Sequence, residues 1–270
     1  MKNLVLVDFT EESLHTLNYA VGLNKLIKGE LEIVNVATGS KFDTSFDKLE
    51  DLQKKYSTDA FPVGIKELEG DLMDRLPAYV NEDKIGFVFC GTHNIQFLEQ
   101  LFSSRILKLM NAVKSNFVFI PQSLKEFKPI THVLAPVFSD VHSLQKFEVL
   151  LYLRKFMPFD LTLCTYKGGE EEQDQVLYMA AKLLKKEGIP FSVRHLGRSE
   201  DDLMKKVNGF AKEIKADMIS IVNLTETHLF NFGTKGFVEK LIRNEYGLPI
   251  FTIQNQKLGD FSSFHTEGGY

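Results

Sequence analysis

The sequence predicts an α/β protein built from two doubly wound units in tandem, each with a parallel five-stranded sheet. Three observations lead to this prediction: short runs of Val, Ile, Leu and Phe alternate with helical patterns, the two halves of the chain repeat one another, and a short polar linker joins them. Runs that are apolar at nearly every position suit strands covered by helices on both faces. The strands of each half should therefore be connected by right-handed helical crossovers.

The apolar runs define the predicted strands, and the stretches between them define the helices. In the first half we predict strands at Leu4–Val7, Leu31–Val36, Val63–Leu68, Phe87–Cys90 and Phe117–Ile120. Helices are expected at about residues 11–28, 46–58, 71–81 and 103–114. In the second half we predict strands near residues 132–136, 161–166, 191–196, 217–222 and 249–253.

An internal repeat relates the two halves. At a separation of 130 residues, apolar positions of the first helix meet apolar positions further on: Leu14 meets Leu144, Leu17 meets Phe147 and Val21 meets Leu151. The run IGFVFCG at 85–91 meets ADMISIV at 216–222 at a separation of 131, as an insertion in a surface loop would produce. We predict one domain at residues 1–122, a second at 129–255 and a C-terminal tail at 256–270, with PQSLKEFKP at 121–129 as the linker.

Composition and charge argue against several classes of protein. The chain is 44% hydrophobic and 25% charged, which is typical of a globular protein with a sizeable core. Its net charge of -4 leaves no excess of Lys and Arg for a nucleic-acid backbone. The apolar run at the N-terminus is too short for a signal peptide, and no stretch approaches the ~18 apolar residues of a membrane helix. We therefore expect a cytoplasmic protein that binds neither nucleic acid nor membrane.

Residues for metal or nucleophilic chemistry are sparse. Both cysteines, Cys90 and Cys164, lie within apolar runs, which predicts core packing rather than a disulfide or a zinc site. The histidines form no His-x-x-x-His or Glu-x-x-His pair on a predicted helix face. The acidic stretch at 168–175 is interpreted as the solvated start of a helix, and no Ser follows a nucleophile-elbow pattern. The sequence thus predicts no metal site and no catalytic residue.

Several short motifs follow one another in a characteristic order. They are LVLVDFTEESLHTLNYAV at 4–21, ELEIVNV at 30–36, EGD at 69–71, GTHN at 91–94, LFSSRILKLM at 101–110 and SNFVFIP at 115–121. Together they resemble the universal stress protein family in its tandem form, and the resemblance extends to about residue 255. It implies a Rossmann-like fold of the adenine nucleotide α-hydrolase-like type, adenine nucleotide binding in one subgroup, and pairing of domains through their last strands. It does not imply catalysis.

The resemblance also implies where a nucleotide would bind. In a doubly wound sheet the ligand crevice lies at the carboxyl ends of the strands, where the strand order reverses. By resemblance, Asp8 lies by the adenine and ribose, the backbone of Val36 bonds adenine, and the turn at Gly91 wraps the phosphates. The predicted binding residues are Asp8, Phe9, Thr10, Val36, Gly91, Thr92, His93, Asn94, Ser103 and Ser104. The alternative for Asp8 is a strand-end carboxylate that caps the next helix.

The phosphate-binding turn departs from the family's pattern of Gly-x-x-Gly followed by Gly-Ser or Gly-Thr. Gly91 is present, but Asn94 replaces the second glycine and Ser103 replaces the third. A side chain at either position occupies space that phosphate oxygens need, and Phe97 adds bulk. Ser104 still offers a hydroxyl and a helix N-terminal N–H group. We interpret the first crevice as damaged but not abolished.

The second repeat departs further from the pattern. Phe138 stands in the place of Asp8, Val222 in that of Gly91 and Thr225 in that of Asn94. A phenylalanine removes any carboxylate contact with ribose, although Gly233 and Thr234 keep a Gly-Thr pair before the last helix. Nucleotide binding is therefore expected in the first half if anywhere.

Two functions remain open. The first is a stress-response protein that acts by binding a protein partner, which the sequence does not identify, with a vestigial nucleotide crevice. The second is an adenine nucleotide sensor that holds ATP or AMP in the first half, with at most slow ATP hydrolysis. An electron-transfer flavoprotein would need a cofactor loop that the sequence lacks. The apolar strands Phe117–Ile120 and Pro249–Ile253 predict an intramolecular pseudo-dimer, and a homodimer also remains open.

Overall fold

The protein consists of two compact units. The computed structural model describes residues 1–39, 42, 44–92, 102–168, 171–223 and 232–254, with side chains described outside 102–106 and 232–236. The first unit comprises Met1–Pro129 and Val238–Phe251, and the second comprises Ile130–Phe237 and the chain from Thr252 onward. A segment late in the chain therefore belongs to the first unit.

Strands and helices alternate along the whole chain. The first half contains β1 (Lys2–Leu6), α1 (Glu11–Ile27), β2 (Glu30–Ala37), α2 (Ser45–Tyr56), β3 (Val63–Glu69), α3 (Leu72–Glu82), β4 (Ile85–Gly91), α4 (Phe102–Ala112) and β5 (Asn116–Ile120). The second half contains β6 (His132–Pro136), a 3-10 helix (Val141–Gln145), α5 (Lys146–Arg154), β7 (Asp160–Thr165), α6 (Glu171–Lys186), β8 (Phe191–His195), α7 (Glu200–Glu213), β9 (Met218–Asn223), α8 (Phe232–Ile242) and β10 (Ile250–Gln254).

The strand order is that of a doubly wound sheet. In the first unit the order is β3-β2-β1-β4-β5, and these neighbours pair in parallel. In the second unit β8-β7-β6-β9 are likewise parallel neighbours. The order reverses between β1 and β4 and again between β6 and β9, which is where a doubly wound fold places its ligand crevice. The predicted α/β fold class is confirmed.

Buried aromatic and aliphatic strands form the core of the first unit. β4 and β5 are buried at every position, as expected for strands covered on both faces. Their Phe87, Phe89, Phe117 and Phe119 are among the largest fully buried side chains, and the ring of Phe251 packs edge-on against Phe87 at 5.9 Å. The apolar runs therefore mark the core that positions the strand ends.

The helix that follows the first strand is built differently in the two units. α1 is a regular α-helix that begins directly after Thr10. In the second unit the equivalent segment starts as a 3-10 helix and becomes α-helical only at Lys146. Within the described residues, no helix is both long and apolar enough to span a membrane.

Candidate functional site

Asp8 follows β1 and shapes the turn into α1. Its Oδ1 accepts hydrogen bonds from the backbone N–H of Thr10 at 3.1 Å and from the Thr10 hydroxyl at 2.6 Å. The Thr10 hydroxyl in turn accepts from the backbone N–H of Ser13 at 3.3 Å and so caps the helix. The Asp8 carboxylate therefore holds Thr10, the residue that caps α1, and does not cap the helix itself.

Phe9 takes an uncommon backbone conformation at the same turn. Its φ of 66° lies in the left-handed region, which costs a bulky residue about 1 kcal/mol or more. The Nζ of Lys48, on α2, lies 5.3 Å from the centre of the Phe9 ring. A strained aromatic residue with a cation over its face thus borders the carboxyl edge of β1.

Asn35 ties the end of β2 to the end of β1. Its Nδ2 donates a hydrogen bond to the carbonyl oxygen of Val7 at 2.7 Å, and its side chain is 4% exposed. Its Oδ1 is buried and has no hydrogen-bond partner among the described residues. A buried acceptor without a donor costs about 1–3 kcal/mol. Val36, the residue predicted to bond adenine, follows directly and is half-buried.

Gly91 ends β4 beside these residues, because β4 pairs with β1. Gly91 is buried and Thr92 is half-buried. The neighbouring thiol of Cys90 is buried, and this burial, together with the charge of Asp8, raises its pKa to about 12. The thiol is therefore protonated at neutral pH and unsuited to nucleophilic chemistry. Both cysteines are buried and free of disulfides.

The structure brings together only part of the predicted phosphate turn. Ser103 and Ser104 lie in the first turn of α4, where only the backbone is described. His93, Asn94 and Phe97 lie outside the described residues, as does Thr225 in the second half. The described part of the crevice in the first unit is thus formed by the ends of β1, β2 and β4.

An aromatic pair occupies the corresponding strand end of the second unit. Phe138 follows β6 at the position equivalent to Asp8, and its ring packs edge-on against that of Phe237 with centroids 5.6 Å apart. Both rings are buried, and Val222 on β9 is buried as well. The end of β6 therefore carries apolar packing where the first unit carries a carboxylate.

The second unit nevertheless repeats the amide contact of Asn35. The Nε2 of Gln173, on α6, donates to the carbonyl oxygen of Val137 at 3.1 Å and also contacts the hydroxyl of Thr165. Val137 and Thr165 occupy the positions equivalent to Val7 and Asn35. The Gln173 Oε1 is buried and has no hydrogen-bond partner in the part of the chain that the structure describes. Two different residues thus supply the same contact.

A solved structure shares this fold over nearly the whole chain. A universal stress protein from Archaeoglobus fulgidus DSM 4304 matches with a TM-score of 0.72 at 16% sequence identity, covering 95% of this chain and 97% of that chain. The chain has the fold of a universal stress protein. At this identity the similarity establishes the universal stress protein-like fold alone.

Other comparisons add no functional information. A universal stress protein in complex with cAMP matches with a TM-score of 0.38 at 14% identity, covering 48% of this chain and 100% of that chain. A glycosyltransferase from Rickettsia africae ESF-5 matches with a TM-score of 0.23 at 10% identity, covering 82% of this chain and 72% of that chain. No family model and no curated protein matches the chain.

Three residues of this universal stress protein-like fold were missed by sequence reasoning. Asn35 and Gln173 provide the paired amide contacts, and Lys146 is fully buried at the start of α5. The only sequence signal for Asn35 is a polar residue inside the apolar run EIVNV. Within the described ranges, no group of three His, Cys, Asp or Glu residues is arranged to hold a metal ion.

Proposed function

We propose that this chain is a universal stress protein-like stress-response protein of the cytoplasm that acts mainly by protein interaction and retains a degraded nucleotide crevice. The observation that carries the proposal is the use of Asp8 inside its own turn, where Thr10 donates two hydrogen bonds to one carboxylate oxygen. A carboxylate that already accepts hydrogen bonds at the start of α1 is less able to accept one from a ribose hydroxyl. The aromatic pair at the equivalent position of the second unit supports the same conclusion.

The loss of turn glycines supports the degraded crevice independently. Asn94 and Ser103 carry side chains where close approach of the backbone to phosphate oxygens needs glycine. Neither unit keeps the full pattern, because Val222 replaces Gly91 in the second. We assign no catalytic residue.

An exposed apolar pair on α6 supports the interaction role. Tyr178 is 67% exposed and Met179 is 45% exposed, whereas Val176 and Ala180 on the same helix are buried. Large exposed apolar patches mark contact surfaces, and these two neighbouring side chains are the exposed large apolar residues of α6. α6 therefore offers a surface for a protein partner.

Site-specific photocrosslinking in cells tests the interaction role. A photoreactive phenylalanine analogue in place of Tyr178 should give discrete crosslinked species, because its ring would lie in the contact. The same analogue in place of Lys205, an exposed residue of α7, is the control and should give none. Equal crosslinking at both positions, or none at Tyr178, would reject α6 as the contact surface.

The second candidate is an adenine nucleotide sensor that uses the first unit only. The unpartnered Oδ1 of Asn35 beside Val36 favours it, since a buried acceptor is satisfied by a ligand N–H group. Native mass spectrometry of the purified protein separates the two candidates and counts subunits. The degraded crevice predicts the mass of the chain alone, and a mass increment equal to AMP or ATP would favour the sensor.

A further inference from the structure

Lys146 is fully buried at the junction between the 3-10 helix and α5. Its Nζ donates a hydrogen bond to the carbonyl oxygen of Ser143, inside the 3-10 helix, and lies 5.2 Å from the centre of the Phe147 ring. Among the described residues, no carboxylate lies within ion-pair distance of this amine. A buried ammonium without a counter-charge is costly, so the site favours the neutral amine.

The groups around the amine do not supply the missing charge. β7 presents Cys164, whose thiol has its pKa raised by burial and stays neutral. β9 carries no ionisable side chain, and on α6 the acidic Glu171, Glu172 and Asp174 are exposed to solvent. The half-buried Asp140 caps the 3-10 helix, where its Oδ1 accepts from the backbone N–H of His142 at 2.8 Å. The 3-10 helix also contributes His142, whose Nδ1 lies 3.2 Å from the Gln145 Nε2, and α5 contributes the half-buried Glu148. Burial lowers the pKa of Lys146 to about 7.

The first unit lacks this arrangement. The position equivalent to Lys146 is Thr16, a buried neutral residue whose hydroxyl donates to the carbonyl oxygen of Glu12 at 3.2 Å. There the helix is regular from Glu11 onward, whereas the second unit has a 3-10 segment before Lys146. A 3-10 turn is common at the start of an α-helix, and its hydrogen-bond geometry is poorer than that of the α-helix itself. The buried lysine therefore lies where the 3-10 turn passes into the α-helix that follows β6.

We propose that Lys146 makes the packing of the second unit pH-responsive, with the 3-10 helix and the start of α5 closed over the neutral amine and released when it is protonated. The proposal does not depend on whether the first unit binds a nucleotide. In the open state the amine is solvated and has the ordinary pKa of a lysine, about 10.4. Protons therefore bind more tightly to the open state, so a falling pH favours opening.

The size and range of the effect follow from the two pKa values. Between pH 8 and pH 6 the opening equilibrium should rise about tenfold, with most of the rise between pH 8 and pH 7. Below pH 6 the amine is protonated in both states, and the dependence should level off. A buried lysine is thus suited to sense acidification of a near-neutral compartment.

Hydrogen exchange with mass spectrometry tests the proposal on the full chain. Opening equilibria of peptides from residues 141–154, corrected for intrinsic exchange rates, should rise about tenfold from pH 8 to pH 6 in the wild type. Lys146→Met, and Lys146→Thr, which copies Thr16, should show no rise. Lys155→Met, at an exposed lysine just after α5, should keep the wild-type dependence.

The outcome decides the proposal in either direction. The proposal would be overturned if the opening equilibrium of the wild type did not change between pH 8 and pH 6. It would also be overturned if both Lys146 variants kept the wild-type increase. A rise that His142→Gln abolishes while the Lys146 variants retain it would assign the response to the histidine and overturn it as well. The test compares the pH dependence of the opening equilibrium and not its value at one pH, so it stays valid when a variant changes the overall stability.

Discussion

The two units place different chemistry at the same point of the same fold. The turn after β1 is polar: Asp8 accepts from Thr10 and so starts a regular α-helix. The turn after β6 begins with an aromatic residue: Phe138 packs on Phe237, Asp140 caps the helix, and the helix starts with a 3-10 segment over a buried lysine. Both units keep the amide on the strand-end carbonyl and a side-chain cap on the following helix, supplied by Thr10 and Asp140. The two turns thus differ in the residue that follows the strand but share the amide contact and the helix cap.

The largest expected effect comes from Lys146→Met. In the unfolded chain the Lys146 amine has an ordinary pKa, whereas burial lowers its pKa to about 7 in the native state. At neutral pH the unfolded state therefore binds more protons at this amine, which lowers the free energy of unfolding. The variant should be more stable at pH 7 by a few kcal/mol, with an upper limit of about 4. Urea unfolding of both proteins measures the difference.

The pH dependence of the free energy of unfolding provides a second test with Lys146→Met. Between pH 7 and about pH 10 the unfolded state binds more protons at this amine, so the wild type should gain stability as pH rises. The difference in the free energy of unfolding between Lys146→Met and the wild type should therefore become smaller over that pH range. A difference that stays constant with pH would show that the gain comes from packing and not from ionisation.

Phe138→Ala tests the aromatic packing at the turn after β6. Removing a buried ring that packs on Phe237 should cost about 3 kcal/mol, because it leaves a cavity. Asp8→Ala, the matched change in the first unit, should cost about 1 kcal/mol, since it removes hydrogen bonds at a partly exposed turn. Thermal unfolding measures both variants. An equal loss of stability in Phe138→Ala and Asp8→Ala would contradict the view that different interactions stabilise the two turns.

Asn35→Leu and Gln173→Leu test the feature that the units share. Each change leaves a strand-end carbonyl, that of Val7 or of Val137, without its amide donor. Each change also removes a buried amide oxygen that has no partner among the described residues, which offsets part of the loss, so both should destabilise the protein by at most about 1–2 kcal/mol. Chemical denaturation of the two variants side by side checks this. A neutral effect at one position only would mean that this carbonyl finds another donor.

The smallest expected effect belongs to Thr10→Ala. The change removes the side-chain cap of α1 and one hydrogen bond to Asp8, and such caps contribute about 1 kcal/mol. Thr10→Ser keeps the hydroxyl and should be close to wild type. Circular dichroism melting curves of the pair measure the cap. If both melt alike and below the wild type, the methyl group rather than the hydroxyl stabilises the turn.

Sequence patterns predicted the fold well because strands buried on both faces leave a strong signal. The runs around Val88 and Val118 are apolar at nearly every position, and the structure buries them completely. The repeat likewise predicted that Phe138 takes the place of Asp8. These features depend on local composition and spacing, which a single sequence contains.

The remaining site features depend on tertiary packing and leave little trace in the sequence. Lys146 occupies a position within SLQKFEVLL that is equally compatible with a solvent-facing lysine, and only the packed helix shows it buried. Gln173 reaches Val137 from a different element than Asn35 uses for Val7, so the repeat does not align the two amides. The left-handed φ of Phe9 also contradicts its intrinsic preference.

The central claim is that the crevice of the first unit is degraded, and calorimetry with ATP tests it most directly. Three proteins are compared: the wild type, the variant with Asn94→Gly, Phe97→Gly and Ser103→Gly, and that variant with Asp8→Ala added. Each recovered charge-assisted phosphate contact contributes roughly 1.5–3 kcal/mol, so two contacts should raise affinity about a hundredfold or more. The account predicts weak or undetectable binding by the wild type, recovery in the glycine variant and loss of most of the gain with Asp8→Ala. Tight binding of ATP by the wild type would contradict it.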